Sequence, residues 1–77
     1  MNIRVKIIGA LTRPDGKDDF VRELPEPSTV RDLLLALNYQ ERHLNIILAA
    51  VNGKHIRNSQ TLKDRDEVEL SLQIGGG

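Results

Sequence analysis

Glu67-Val68-Glu69-Leu70-Ser71-Leu72-Gln73-Ile74 alternates polar with aliphatic residues and runs directly into Gly75-Gly76-Gly77. Side chains two apart on an extended chain point the same way, so Val68, Leu70, Leu72 and Ile74 share one face. The stretch reads as a strand with one buried side. The glycines that follow have no side chains, so they fit a narrow channel, and fixing a glycine costs the most backbone freedom. Two readings of them compete. In one, the α-carboxylate of Gly77 is the working group and everything upstream is a platform that presents it. In the other, small residues simply fray at a chain end.

Upstream, the same period of two appears at the start of the chain. Ile3, Val5 and Ile7 alternate with Asn2, Arg4 and Lys6, and Ile8 breaks the alternation. Gly9 opens a loop, and Arg13-Pro14-Asp15-Gly16 is a turn, because proline fixes φ and glycine accepts positive φ. Asp18 to Leu24 is expected to return antiparallel, with Phe20, Arg22 and Leu24 on one face and Val21 on the other. Pro25 and Pro27 end that strand. Ser28 or Thr29 supplies a helix N-cap, with Asp32 in the first turn where acidic residues are favoured. Val30, Leu33, Leu34 and Leu37 follow helical spacing to a stop near Asn38, a helix of about three turns. It is too short to stand without a sheet to cover.

Tyr39 to Asn45 reads as a polar connection containing a short helical turn. Ile46 to Val51 is apolar throughout and strand-like. Asn52-Gly53 is the strongest short hairpin signal, because both positions must take positive φ. Lys54 to Ile56 is a short returning strand, Leu62 is expected to plug the core, and Lys63-Asp64-Arg65-Asp66 turns into the final strand. The order is therefore strand, strand, helix, strand, short strand, strand. One helix covers one face of a sheet, and the alternating strands need only one covered. An α+β fold follows: a mixed sheet of four to five strands packed on one main helix, with the first and last strands adjacent at the centre. Arg4 and Lys6 would then oppose Glu67 and Glu69 on the open face.

Composition removes several classes of function. The chain has 77 residues, one domain's worth, with 11 basic and 11 acidic residues that cancel. That balance argues against a nucleic-acid binder that works by neutralising phosphates. No segment approaches the about 20 apolar residues of a membrane span, and no signal-peptide pattern precedes Ile3. With no cysteine there is no disulfide, no thiol nucleophile and no thiolate metal site. A cytoplasmic location is the expectation.

Ala50-Val51-Asn52-Gly53-Lys54, then Leu62-Lys63-Asp64 and Asp66-Glu67-Val68, then the closing glycines, resemble the MoaD/ThiS family of ubiquitin-like sulfur carriers. Val5 to Gly9 and Leu24 to Leu34 look like it too, so the likeness spans essentially the whole chain. The resemblance implies a β-grasp domain over residues 1–74 and a flexible glycine tail over 75–77. It implies a carrier protein rather than an enzyme, with no catalytic residue, no metal and no bound cofactor. A ubiquitin-activating-type enzyme (MoeB/ThiF-like) would use ATP to adenylate the terminal carboxylate, and a sulfur donor would convert the acyl-adenylate to a thiocarboxylate. Gly77 would carry the sulfur, and Gly75 and Gly76 would thread the tail into the partner. The sulfur would pass to a synthase, MoaE-like for molybdopterin or ThiG-like for the thiamine thiazole. Chain length and the extended first hairpin lean toward molybdopterin. The alternatives are a ThiS-type carrier, a ubiquitin-like modifier of lysines, or a plain interaction domain. If the chain is trimmed, the chemistry moves to Gly76. The family usually has glycine between the two aspartates where this chain has Arg65, so arginine there carries a strain of about 1–2 kcal/mol if φ is positive.

For contact with partners, Ile74 lies where strand meets tail, and Leu11 and Leu62 are further candidates for an apolar docking patch. His43 and His55 read as surface residues. Ser28, His55 and Asp66 have no spacing that supports a triad, and capping explains Ser28 better. Asp15, Asp18 and Asp19 lack the spacing of a calcium loop and read as a solvated turn.

Overall fold

The computed structural model describes residues 1–73; Ile74, Gly75, Gly76 and Gly77 lie outside the described residues. Five strands form one mixed sheet in the order β2-β1-β5-β3-β4. They are β1 (Asn2–Ile7), β2 (Asp19–Glu23), β3 (Ile47–Val51), β4 (Lys54–Ile56) and β5 (Glu67–Leu72). β1 pairs antiparallel with β2 and parallel with β5, and β5 pairs antiparallel with β3. The first and last strands thus meet at the centre, as their alternation requires once a single helix covers one face. This is the β-grasp layout.

The helix α1 spans Val30–Ala36 and lies against the buried face, with Val30, Leu33 and Leu34 fully enclosed. Its seven residues make two turns, shorter than the three that the apolar spacing predicts. The cause is at its C-terminal end: Leu37 is the C-cap, and Asn38 takes φ 69°, a left-handed conformation that stops the helix. The N-terminal end is fully satisfied. A helix start leaves four N–H groups without internal partners. Here Val30 N donates to Gln60 O at 3.0 Å and Arg31 N to Asn58 O at 2.9 Å. Asp32 N donates to Thr29 Oγ1 at 3.2 Å, and Leu33 N to Thr29 O at 3.1 Å. Thr29 is therefore the cap, and Asp32 closes a capping box by accepting from Thr29 N at 2.9 Å. Ser28 is instead buried, its hydroxyl donating to Pro25 O at 2.6 Å.

The core is aliphatic: Ile3, Val5, Ile7, Leu24, Leu33, Leu34, Val68 and Leu70 close the space between sheet and helix. Leu11 and Leu62 are 4% and 3% exposed and belong to that core. Leu62 plugs the core as expected, and the docking role considered for both is corrected by this burial, because side chains so enclosed have almost no surface to offer a partner. At the β3–β4 hairpin, Asn52 and Gly53 take φ 51° and 85°, the two positive values that a tight hairpin turn demands. Arg65 takes φ 69°, so the strained arginine foreseen in the Lys63–Asp66 turn is present. Its N–H donates to Asn2 O at 2.8 Å, which fixes that conformation from β1.

Candidate functional site

β5 is the middle strand of the sheet and carries the chain out at one pole. The last described tie is Gln73 N donating to Ile46 O at 2.8 Å. Beside this exit, Ala10, Leu11, Thr12, Tyr39, His43, Ile46, Ile47 and Leu72 line a small recess of about 150 Å³. Tyr39 donates its hydroxyl to Thr12 O, bracing the loop after β1 against the segment after α1. Burial pushes the Tyr39 phenol above its ordinary value, and Arg13 nearby pulls it the other way. The group stays a neutral donor at physiological pH. Ile74 and the three glycines, expected as contact, threading and reactive residues, lie outside the described residues.

The open face of the sheet divides into a charged half and an apolar half. The register sets Arg4 opposite Glu67 and Lys6 opposite Glu69, as expected from the sequence. The ion pairs, however, close diagonally. Arg4 Nε and Nη2 donate to both carboxylate oxygens of Asp19 on β2 at 3.1 and 3.0 Å. Lys6 Nζ reaches Glu67 at 3.4 Å. The Arg4 guanidinium, by hydrogen bonding first and by its charge as well, holds the Asp19 carboxyl below the usual carboxylate range.

Nearer the exit the face becomes apolar. Ser71 lies opposite Leu48, and Ile8, whose N–H donates to Leu70 O at 2.8 Å, falls level with Ser71 on the other side. Ile8 is 47% exposed, Leu48 37% and Ile46 42%. Two segments remote in sequence thus place three large aliphatic side chains in the open, next to the point where β5 leaves the body. The sequence reading missed them. The signals were there: Ile8 puts an apolar residue on the polar side of β1, and a run as apolar as Ile46–Val51 must turn some of its side chains outward.

The remaining candidates separate. His43 and His55 are exposed. Asp66 accepts from Lys63 N at 2.8 Å and from Asn52 Nδ2 at 3.1 Å, tying two turns together. With Ser28 buried on Pro25 O, the three do not make a triad. Among the described residues no three His, Asp or Glu side chains gather to hold a metal ion. Nor is any helix among them long and apolar enough to cross a membrane. What this arrangement offers among the described residues is an apolar surface beside the end of β5.

The family model described as ThiS matches residues 5–77. No curated protein sequence matches. Among solved structures, one of a protein assigned provisionally as molybdopterin converting factor subunit 1, from Pyrococcus furiosus, is 25% identical with a TM-score of 0.76. It covers 95% of this chain and 98% of that one. The complex of subunits 1 and 2 of the molybdopterin-converting factor from Helicobacter pylori contains a chain 25% identical, matched over 100% of both, with a TM-score of 0.65. SAMP1 from Haloferax volcanii is 20% identical over 100% of both chains with a TM-score of 0.78, a likeness of fold.

Proposed function

The chain belongs to the ThiS family of small ubiquitin-like sulfur carriers, and from that premise we propose that its Gly77 carboxylate is adenylated, converted to a thiocarboxylate and used to donate sulfur in molybdopterin synthesis. The observation that carries this reading is the central strand itself. β5 is paired with β1 as far as Leu70 and with β3 as far as Leu72, its Val68 and Leu70 are buried, and the sequence then continues through Ile74 into three glycines. The fold secures this strand, and the glycines beyond Ile74 carry no side chains.

The chemistry needs two steps. A carboxylate is a poor electrophile, so its oxygen first attacks the α-phosphorus of ATP and pyrophosphate leaves. Sulfide-level sulfur, delivered by a donor as hydrosulfide, then adds to the acyl carbon and the C–O bond to AMP breaks, leaving a C-terminal thiocarboxylate. The activating partner binds the ATP, and the carrier is a co-substrate. Gly75 and Gly76 thread the tail, Ile74 contacts the partner where strand meets tail, and Ile8, Ile46 and Leu48 form an apolar contact surface on the open face. The likeness to molybdopterin-converting-factor subunits at 25% identity, one solved with its subunit 2, favours molybdopterin and a MoaE-like partner over the thiazole pathway.

Intact-mass analysis of the protein from its own cell tests the proposal. A thiocarboxylate raises the mass by the difference between one sulfur and one oxygen atom, and loss of Gly76 and Gly77 abolishes that species. Adducts on lysines of other proteins would instead establish the modifier reading. Unchanged pathway function after tail deletion would defeat both.

A further inference from the structure

On the open face, one carboxylate is left out of the ion-pair scheme. The row across the sheet is Asp19, Lys6, Glu69, Ala50 and His55, in register from β2 to β4. Direct cross-strand pairing would give Glu69 to Lys6. Lys6 instead binds Glu67, and Arg4 binds Asp19 with both carboxylate oxygens. Two cations and two anions thus neutralise one another, and Glu69 forms no ion pair among the described residues. Its other neighbour is Ala50, whose methyl side chain brings no charge. Glu69 is half-buried at the middle of the central strand. The next outward position along β5 is Ser71, flanked by Ile8 and Leu48.

From this placement we infer that Glu69 is the charge-reading position of the docking face and receives a lysine or arginine of the adenylating enzyme while Ile8, Ile46 and Leu48 seat that enzyme's apolar surface. The inference rests on the proposed carrier function. The adenylating enzyme is the occupant because every fate of an activated Gly77 passes through it. A negative charge bordering an apolar patch, whose cross-strand lysine is drawn to Glu67 instead, is electrostatically complementary to a basic group at the rim of an apolar partner. Such a pair is shielded from water once the apolar surfaces close, and it then discriminates between partners far better than an open surface pair. A partner that brought an acidic group to the same spot would be repelled.

The test is ATP–pyrophosphate exchange by the same cell's ubiquitin-activating-type adenylating enzyme, with the full-length carrier as the varied substrate. Glu69→Gln keeps the shape and is expected to raise the KM for the carrier about tenfold, and Glu69→Arg about a hundredfold, with kcat unchanged. Rising ionic strength raises the KM of the native protein and leaves that of Glu69→Gln flat. Glu69→Gln melts at the native temperature, because Glu69 supports no ion pair within the body, whereas Glu69→Arg, set opposite Lys6, melts slightly lower. Should both variants keep the native KM while Leu48→Asp raises it, the docking face stands and the role of Glu69 is refuted. Should Leu48→Asp and Ile8→Asp also leave KM unchanged, the face is refuted with it. Absence of exchange with the native carrier would overturn carboxylate activation itself.

Discussion

The N–H of Gln73 donates to the carbonyl oxygen of Ile46 at 2.8 Å, extending the β5–β3 pairing one residue past the last strand position. Every buried side chain and hydrogen bond described for the body is in place by this residue. Deleting residues 75–77 is therefore expected to leave the melting temperature within about 2 °C of the native value, less than a loss of 1 kcal/mol would cause in a domain this size. The same deletion abolishes adenylation. Calorimetry of the truncated chain checks the first, and pyrophosphate exchange the second.

Arg65 sits at φ 69°, and its side chain is 91% exposed. It bears the left-handed strain with little packing in return. Arg65→Gly relieves about 1–2 kcal/mol of strain and loses about 0.4–1 kcal/mol to the freer unfolded chain. A net gain between zero and about 1.6 kcal/mol is expected in urea unfolding. Arg65→Val, with a β-branched side chain at the same φ, destabilises.

The capping box on α1 rests on two side chains. Thr29→Ala leaves Asp32 N without its acceptor and is expected to cost about 1 kcal/mol. For a helix of seven residues that loss spreads into faster amide exchange at Leu33 and Leu34, measurable by NMR. Thr29→Asp, which keeps an acceptor, retains most of the stability.

Leu62 and Leu48 give opposite outcomes. Leu62 is 3% exposed, and Leu62→Ala is expected to cost about 2–5 kcal/mol through the cavity it leaves. Leu48 is 37% exposed, and Leu48→Ala changes stability by less than about 1 kcal/mol while weakening partner binding. Denaturant titration and binding of the two variants separate packing from docking.

Asp19 has its carboxyl held low by Arg4, so the folded state binds its proton less readily than the unfolded one. Such a group contributes stability above the ordinary carboxylate pKa and loses it as pH falls through the folded value. Asp19→Asn is expected to be less stable than the native protein at pH 7, by the small amount of an exposed pair. The two should converge as pH drops below about 4. Thermal melts across that range read the difference directly.

Local physics made much of this protein legible in the sequence. The alternations of Ile3–Val5–Ile7 and Val68–Leu70 fixed two strands and their buried faces, because period two is a property of the extended chain alone. Asn52-Gly53 and the Thr29–Asp32 cap were readable because each satisfies its own backbone within a few residues. The glycine tail, the order of elements and the family likeness gave the fold and the carrier reading. Tertiary structure alone decided that Leu11 points inward. It alone gathered Ile8, Ile46 and Leu48 beside the exit of β5, and turned Lys6 to Glu67 so that Glu69 stays outside the ion pairs. Each of these depends on which strands become neighbours and at what register. Apolar spacing says that a side chain prefers cover; only the assembled sheet determines whether cover reaches it.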